Sequence, residues 1–302
     1  MLFPLAACLA AFAMAQEPTP DILSRVAEEA ELLAQKVPNA LAQETLEQRT
    51  LRMFWPPPTG NKDDQASELR LARTIVSEYT VAPLKDSESK ELVEFRQVIS
   101  VDGRAVQSAE SARHALSLGV LSAGESARKR MLEVFAKHGL QDVATDYALI
   151  LLAFTNLGQK SLKILPSGED RVGPDEALVF AWAQSTPGGG QLSFHGNQSA
   201  RLPLTGKLWA RKSDGVPLRV WVWAVQTVTG HSIRDEATID YVMSAHGFVM
   251  PVSVLHHHLV DGQLRTENLY RYDPFKLFSA DIQIQFPEPD AQPPEQPAHP
   301  PK

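Results

Sequence analysis

The sequence predicts an α+β protein built on a large antiparallel β-sheet, with an N-terminal helix and a helical insert covering one face. Apolar residues recur at helical spacing only near the start of the chain and between roughly residues 107 and 157. After Lys160 the period is almost entirely two, with turn residues every eight to twelve positions, which is the pattern of an antiparallel meander. A chain of 302 residues is long enough to bury the core that such a sheet needs.

Residues 1-15 read as a signal peptide. Leu2 to Phe12 form an apolar run, and Ala13-Met14-Ala15 is an A-x-A cleavage site before the polar start Gln16-Glu17-Pro18. The chain's single cysteine, Cys8, ends Leu5-Ala6-Ala7-Cys8, which resembles a lipobox. Cleavage before Cys8 would leave a signal too short to cross an apolar layer, followed by an apolar tether. A soluble periplasmic or secreted protein cut near Ala15 is therefore favoured over a lipoprotein anchored through Cys8 or an uncleaved anchor. About 287 residues remain after that cut, and their lack of cysteine rules out disulfides and thiolate metal sites within them. The formal charge of −7, without a basic block, argues against nucleic acid as a partner, because phosphate neutralisation needs clustered Lys and Arg. No second apolar run reaches membrane-span length.

Residues 16-38 form the N-terminal helix: Thr19-Pro20-Asp21 is a helix start, Ile22, Val26, Ala30, Leu33 and Val37 share one face, and Pro38 ends it. The α+β domain spans 39-286, with its helical insert at 107-157. Leu41 to Thr50 carries a mixed pattern that fits a strand or a second helix, with strand favoured; Phe54-Trp55-Pro56-Pro57-Pro58 breaks either element, and Thr59 to Ser67 is a polar loop. Glu68 to Val81 and Leu92 to Val101 are strands, the second ending at the turn pair Asp102-Gly103. Ser108 and Ser122 open two helices, the latter with Glu125 in a capping box; Met131, Val134 and Phe135 face the core and Gly139 is the C-cap. Val143 to Asn156 is a third, more hydrophobic helix. Further strands are expected at Ser161 to Leu165, Ala177 to Ala183, Gly206 to Arg211, Leu218 to Thr229, Ala237 to Ser244, Val249 to Val260, Gln263 to Tyr272 and Ala280 to Phe286. Residues 287-302 contain seven prolines and no aromatic or branched aliphatic residue, so they form a disordered, Pro-rich tail.

His256-His257-His258 stands out first. With Asp261-Gly262 as a two-residue hairpin turn, Val260 pairs with Gln263, His258 with Arg265 and His256 with Glu267. That register gathers His256, His258 and Glu267, in type a two-histidine, one-carboxylate metal set. Arg265 opposite His258 disfavours a dication there, so a solvated strand face is the simpler reading. Trp221 and Trp223 lie in Leu218 to Val225, where both parities are apolar. Plain core is the simpler reading here also; otherwise Trp221, Trp223 and Val225, or Val220, Val222 and Ala224, line an apolar cavity. Asp235-Glu236 is read as strand-end solvation, since adjacent strand residues point to opposite faces. Ser126-Ala127-Arg128-Lys129 and Ser87-Glu88-Ser89-Lys90 fit S-x-x-K but lack the partner motifs of serine catalysis. There is no G-x-S-x-G, H-E-x-x-H, Walker loop or G-x-G-x-x-G, and Gly188-Gly189-Gly190 precedes no helix, so no catalytic residue and no cofactor is assigned.

An N-terminal helix, a long antiparallel meander and helices inserted over one face resemble the periplasmic lipoprotein-carrier superfamily, typified by LolA and LolB. The run Tyr270-Arg271-Tyr272-Asp273-Pro274-Phe275-Lys276-Leu277-Phe278 is similar to the aromatic-spaced strand that ends other exported proteins. The carrier resemblance implies a strongly curved, half-barrel-like sheet whose concave face holds lipid chains. It implies a non-enzymatic envelope protein that binds a lipid or other apolar small molecule. The alternative is an envelope scaffold whose Pro-rich tail reaches a protein partner; a hydrolase or metalloprotein using His256 and His258 is the third reading. Soluble carriers of that superfamily lack an acylated cysteine and their outer-membrane acceptors have one, so Cys8 bears on role as well as place.

Overall fold

The computed structural model describes residues 19–52, 68–84, 91–121, 125–143, 145–185, 192–195 and 198–277. The signal peptide with Cys8, the Trp55 proline run and its polar loop, Ser87 to Lys90, Ser122, Gly188 to Gly190, the strand expected from Ala280 and the Pro-rich tail lie outside those residues. Helix α1 (Thr19–Lys36) is followed by strands β1 (Ala40–Arg52), β2 (Glu68–Pro83), β3 (Leu92–Val101) and β4 (Arg104–Ala105). Helices α2 (Ala109–Leu121) and α3 (Glu125–Lys137) and a 3₁₀ segment, Tyr147–Phe154, come next. Then follow β5 (Leu162–Val172), β6 (Asp175–Gln184), β7 (Leu192–His195), β8 (Gln198–Arg201), β9 (Thr205–Arg211), β10 (Pro217–Val228), β11 (His231–Met243), β12 (Val249–Val260), β13 (Gln263–Tyr272) and β14 (Lys276–Leu277).

Twelve strands form one sheet in the order β4-β3-β2-β1-β13-β12-β11-β10-β9-β6-β5, with β14 pairing β1, and β7 and β8 make a separate hairpin. Every pairing is antiparallel. Neighbours in sequence are mostly neighbours in the sheet; the exception that organises it is β1, which joins β13 with Glu44 opposite Tyr272 and Thr50 opposite Thr266. The α+β meander expected from the sequence is thus observed. Its outermost strand, β5, is bulged between Pro166 and Glu169, with Gly168 at φ +103°. Proline, a bulge and exposed acidic residues blunt that free edge against a further strand.

Alternation along the strands assigns the faces. Val220, Val222 and Ala224 of β10, Ile239 of β11, Val254 of β12, Leu208 and Ala210 of β9 and Phe180 and Trp182 of β6 belong to one buried cluster. Ile22, Val26, Ala30 and Leu33 of α1 and the 3₁₀ segment join it, so these elements cover the inner face. Helix α2 covers the opposite, outer face near β2 and β3, where Leu116 packs with Val93, Phe95 and Ala82. Within Tyr147–Phe154, Tyr147 stacks on His256 of β12 with ring centroids 5.3 Å apart, and Phe154 meets Trp182 of β6 edge-on, also at 5.3 Å. Tyr147–Phe154 thus spans the inner face from β12 to β6.

Three local differences from the sequence reading have physical causes. The third helix is 3₁₀ and not α, starting after Asp146 at φ +67°, with its first N–H groups capped by the Glu94 carboxylate of the sheet. Strand β11 begins at His231, six residues earlier than expected, because Thr229 and Gly230 adopt positive φ and close a tight hairpin after β10. Gly139, at φ +84°, caps α3 as expected, with the Leu140 N–H bonded to the Phe135 carbonyl.

Gly206 on β9 is fixed by close approach. A Cβ there would lie 2.9 Å from the Trp182 ring and 2.1 Å from the Trp221 carbonyl oxygen. Gly206→Ala is expected to destabilise the fold by about 1–3 kcal/mol through overpacking, measured by urea unfolding followed on tryptophan fluorescence; unchanged stability would show that the Trp182 ring is not held against β9.

Candidate functional site

The inner face of the sheet is filled by the chain itself. In Tyr147–Phe154, Tyr147, Ala148, Leu149, Ile150, Leu151 and Phe154 are buried, and Leu152 and Ala153 partly so. The segment lies beneath α1 and across β11 and β12. An 3₁₀ run of eight residues is long for its type, because i→i+3 bonds are poorly aligned and side chains eclipse. Packing and polar anchoring, not local propensity, therefore hold it.

The first anchor is a buried charge cluster. On β1 and β3 the buried inward positions include Glu44, Glu94 and Arg96 among apolar neighbours such as Ala42, Leu46 and Val98. Arg96 Nε donates to both oxygens of Glu44 (2.7 and 2.9 Å) and Arg96 Nη2 to Glu94 (2.7 Å). The guanidinium also lies over Tyr79 and Tyr270, 5.1 and 5.5 Å from the ring centroids. Glu94 then accepts hydrogen bonds from the backbone N–H groups of Asp146 (2.8 Å) and Ala148 (3.1 Å). These are orphan donors at the start of the 3₁₀ segment, and a carboxylate there is favoured by the segment's dipole. Asp146 in turn accepts from the Glu94 N–H at 2.9 Å and pairs with Arg128 of α3, which also donates to Thr145 at 3.2 Å.

Three carboxylates facing two guanidiniums leave the cluster one charge short of balance. Burial pushes the Asp146 carboxyl up, Arg128 pulls it down, and Glu94 pushes it up again, for a net rise to about 6. Burial likewise raises the Glu44 carboxyl above its ordinary range despite Arg96. The Tyr79 and Tyr272 phenols are pushed well up by burial and by the nearby carboxylates.

The second anchor is a buried polar network on β1, β11, β12 and β13. His258 Nδ1 and His256 Nε2 both reach Asp235 Oδ1, at 2.8 and 3.2 Å. Asn268 Nδ2 lies 3.2 Å from His256 Nδ1 and donates to the Asp142 carbonyl at 2.8 Å. Gln48 Nε2 donates to Asn268 Oδ1 (2.7 Å) and to the Gln141 backbone carbonyl (2.6 Å), and Gln48 Oε1 accepts from the Gln141 N–H at 3.0 Å. Thr266 donates to Asp142 Oδ2 at 3.0 Å, and His258 Nε2 lies 3.9 Å from Asp142 Oδ1. Burial would raise the Asp235 carboxyl, but hydrogen bonds and charge from the two histidines hold it well below the usual carboxylate range. Burial pulls His258 down, and the Asp235 hydrogen bond and the charges of Asp235 and Asp142 more than offset it, for a net rise.

The expected metal set does not assemble. A bulge makes Arg265 the extra residue on β13, so Leu259 faces Leu264 and His258 faces Thr266; Glu267 then lies opposite His257 and Asn268 opposite His256. Glu267 accordingly bonds His257 at 3.2 Å and Arg49 at 3.2 Å, on the outer face. Among the described residues no group of three or more His, Cys, Asp or Glu side chains is arranged to hold a metal. His256 and His258 spend their ring nitrogens on Asp235 and its neighbours.

Trp221, Trp223 and Val225 lie on the outer face, so they do not line the concave one. Strand alternation gives that role to Val220, Val222 and Ala224, which are buried, while Val225 is 52% exposed. The two indoles lie 4.4 Å apart by ring centroid, and Arg234 stands 5.8 and 5.4 Å from their centres while pairing with Glu236. The sequence reading missed Asp235, Glu44, Glu94 and Asp146. Asp235 was legible from Thr229-Gly230, a turn pair that starts β11 early enough to place it opposite the histidines; the cluster around Arg96 had only the i, i+2 spacing of Glu94 and Arg96 as a signal.

No protein-family model matches the chain, and no curated protein matches it in sequence. Solved structures do match. A LolA-superfamily protein from Nitrosomonas europaea is similar over 85% of this chain and 94% of its own, at 9% identity and TM-score 0.33. An outer-membrane lipoprotein-sorting domain from Vibrio parahaemolyticus is similar over 88% and 94%, at 8% identity and TM-score 0.34. A DUF1329-family protein from Desulfovibrio piger is similar over 87% and 95%, at 10% identity and TM-score 0.35. Among the described residues no helix is long and apolar enough to cross a membrane.

Arg96→Met leaves Glu44 and Glu94 buried without their cation and is expected to lower stability by about 3–5 kcal/mol, with much of the loss recovered in Glu44→Gln/Arg96→Met. Urea titration of both variants checks this, and a near-neutral single variant would show that the cluster is solvated.

Proposed function

We propose that this is an exported, non-enzymatic β-rich protein of the cell envelope that binds a long-chain lipid or similar apolar ligand on the concave face of its sheet, in place of its own segment Tyr147–Phe154. The observation that carries the reading is that this apolar segment occupies the inner face chiefly through side-chain packing, with Glu94 holding its leading end and Gln159, which donates to the Phe154 and Leu23 carbonyls, holding its trailing end. The magnitudes are compatible with exchange. Five large side chains at about 2 kcal/mol each give roughly 10 kcal/mol of burial, and an acyl chain of about 14 methylenes at about 0.8 kcal/mol each gives a similar sum. A shorter apolar molecule would not compensate for uncovering the segment's site.

The half-exposed Trp221 and Trp223 on the outer face favour a second reading, an envelope scaffold whose partner is a protein reached by that face or by the Pro-rich tail. The two readings separate by variant. If ligand and segment compete, affinity is reduced by the fraction of molecules already open. Phe154→Ala weakens the segment's hold and is expected to raise affinity for a fluorescent long-chain fatty acid severalfold, whereas Val222→Asp abolishes binding and Trp221→Ala/Trp223→Ala leaves it unchanged. Titration of the three folded variants measures this; lower affinity in Phe154→Ala, or loss confined to the tryptophan variant, would reject the inner face as the site.

A further inference from the structure

The segment's leading end is held by groups that titrate near neutrality, at two places. Asp146 is gripped from every side by charge: Glu94 and Arg96 on β3, Arg128 on α3 and, one step further, Glu44 on β1. Asp142, four residues earlier, faces His258 of β12 and Thr266 of β13, and His258 is braced from behind by Asp235 of β11 with His256 beside it. Both aspartates have left-handed backbones, φ +48° and +67°, a conformation that non-glycine residues leave readily once contacts no longer impose it. Moving Tyr147–Phe154 off the sheet requires these two residues to leave their partners.

We propose that Asp142 and Asp146 form a pH-operated latch, which holds Tyr147–Phe154 against the sheet under acid conditions and loosens it as pH rises through neutrality. The proposal rests on reading the inner face as the ligand site and adds how access to it is controlled. The sign follows from proton linkage. Asp146 released to water returns towards its ordinary value of 3.8, whereas latched it keeps its proton up to about 6. Its contribution to the latched form is complete below about pH 4 and is lost as pH rises through 6. His258 is also raised in the latched form by Asp235 and Asp142, so its contribution is complete below its ordinary 6.5 and is lost above that. Both groups act in the same direction: the latched form binds more protons.

Hydrogen exchange of amides 147–154 in the full chain, corrected for intrinsic rates, reads the opening directly, with amides of β10 as internal reference. The opening constant is expected to be about 10-fold larger at pH 8 than at pH 5 from Asp146, with a further increase from His258 and the β10 amides unchanged. Asp146→Asn, neutral at every pH, should remove most of that difference, and His258→Gln the remainder. Equal protection at both pH values, or an unaltered pH dependence in Asp146→Asn, would overturn the latch. Should Asp146→Asn fail to fold, carboxyl carbon NMR of the wild type decides: an Asp146 transition near pH 6 supports the latch and one near 4 refutes it. No ligand enters these measurements. Fatty-acid binding with pH-independent protection would defeat the latch alone, and pH-dependent protection without any binding would defeat the function alone.

Discussion

An open sheet with an apolar inner face must be covered, and the rest of this structure depends on how that is done. The α1 helix alone presents one stripe, Ile22, Val26, Ala30 and Leu33, too narrow for the strands from β12 to β6. The remaining area is covered by Tyr147–Phe154, which has no polar face and no favourable helix geometry of its own. Its location on the sheet is then a matter of shape, filled by Phe154 against Trp182 at one end and Tyr147 against His256 at the other. Gly206 follows from the same demand, since only a residue without Cβ leaves the Trp182 ring its place.

Covering a sheet with an apolar segment creates a second problem, the backbone groups at the segment's start. The chain solves it with a carboxylate from the sheet, Glu94, and burying that carboxylate requires Arg96, which requires Glu44. Each buried charge is tolerated because the next one is present, so the set stabilises little in total while making any single loss severe. Gln48, Asn268 and Thr266 are the uncharged counterpart, satisfying the loop before the segment with amide and hydroxyl groups.

The sheet was legible in the sequence because period two survives along β9 to β13, and α1 because its apolar stripe is unbroken. What was not legible depended on single-residue irregularities. One bulged residue, Arg265, moved Glu267 to the other face and dissolved the metal set that a regular hairpin had gathered. One hairpin turn, Thr229-Gly230, lengthened β11 and turned Asp235 from a strand-end charge into a buried partner of two histidines. The parity of β10 was open in the sequence because Trp and Val are both apolar; only the side on which α1 packs decided that valines face in and tryptophans out. Asp146 offered no pattern at all, since its surroundings come from β1, β3 and α3, far apart along the chain.

The pairing of β1 with β13 has a kinetic side. Glu44 and Tyr272 lie in the first and next-to-last described strands of the sheet, so the contact between them closes a loop that contains almost every other described strand. A chain made from its N-terminus can form the β1–β2–β3 meander and its helices early, but one edge of β1 waits until β13 exists. Until then Glu44 and Arg96 cannot be enclosed under Tyr270 and Tyr272, and a row of unpaired backbone groups stays open to other chains. The pairs that β1 makes with β13 and β14 are therefore the longest-range contacts among the described strands, and they carry the largest loop-closure cost of the sheet.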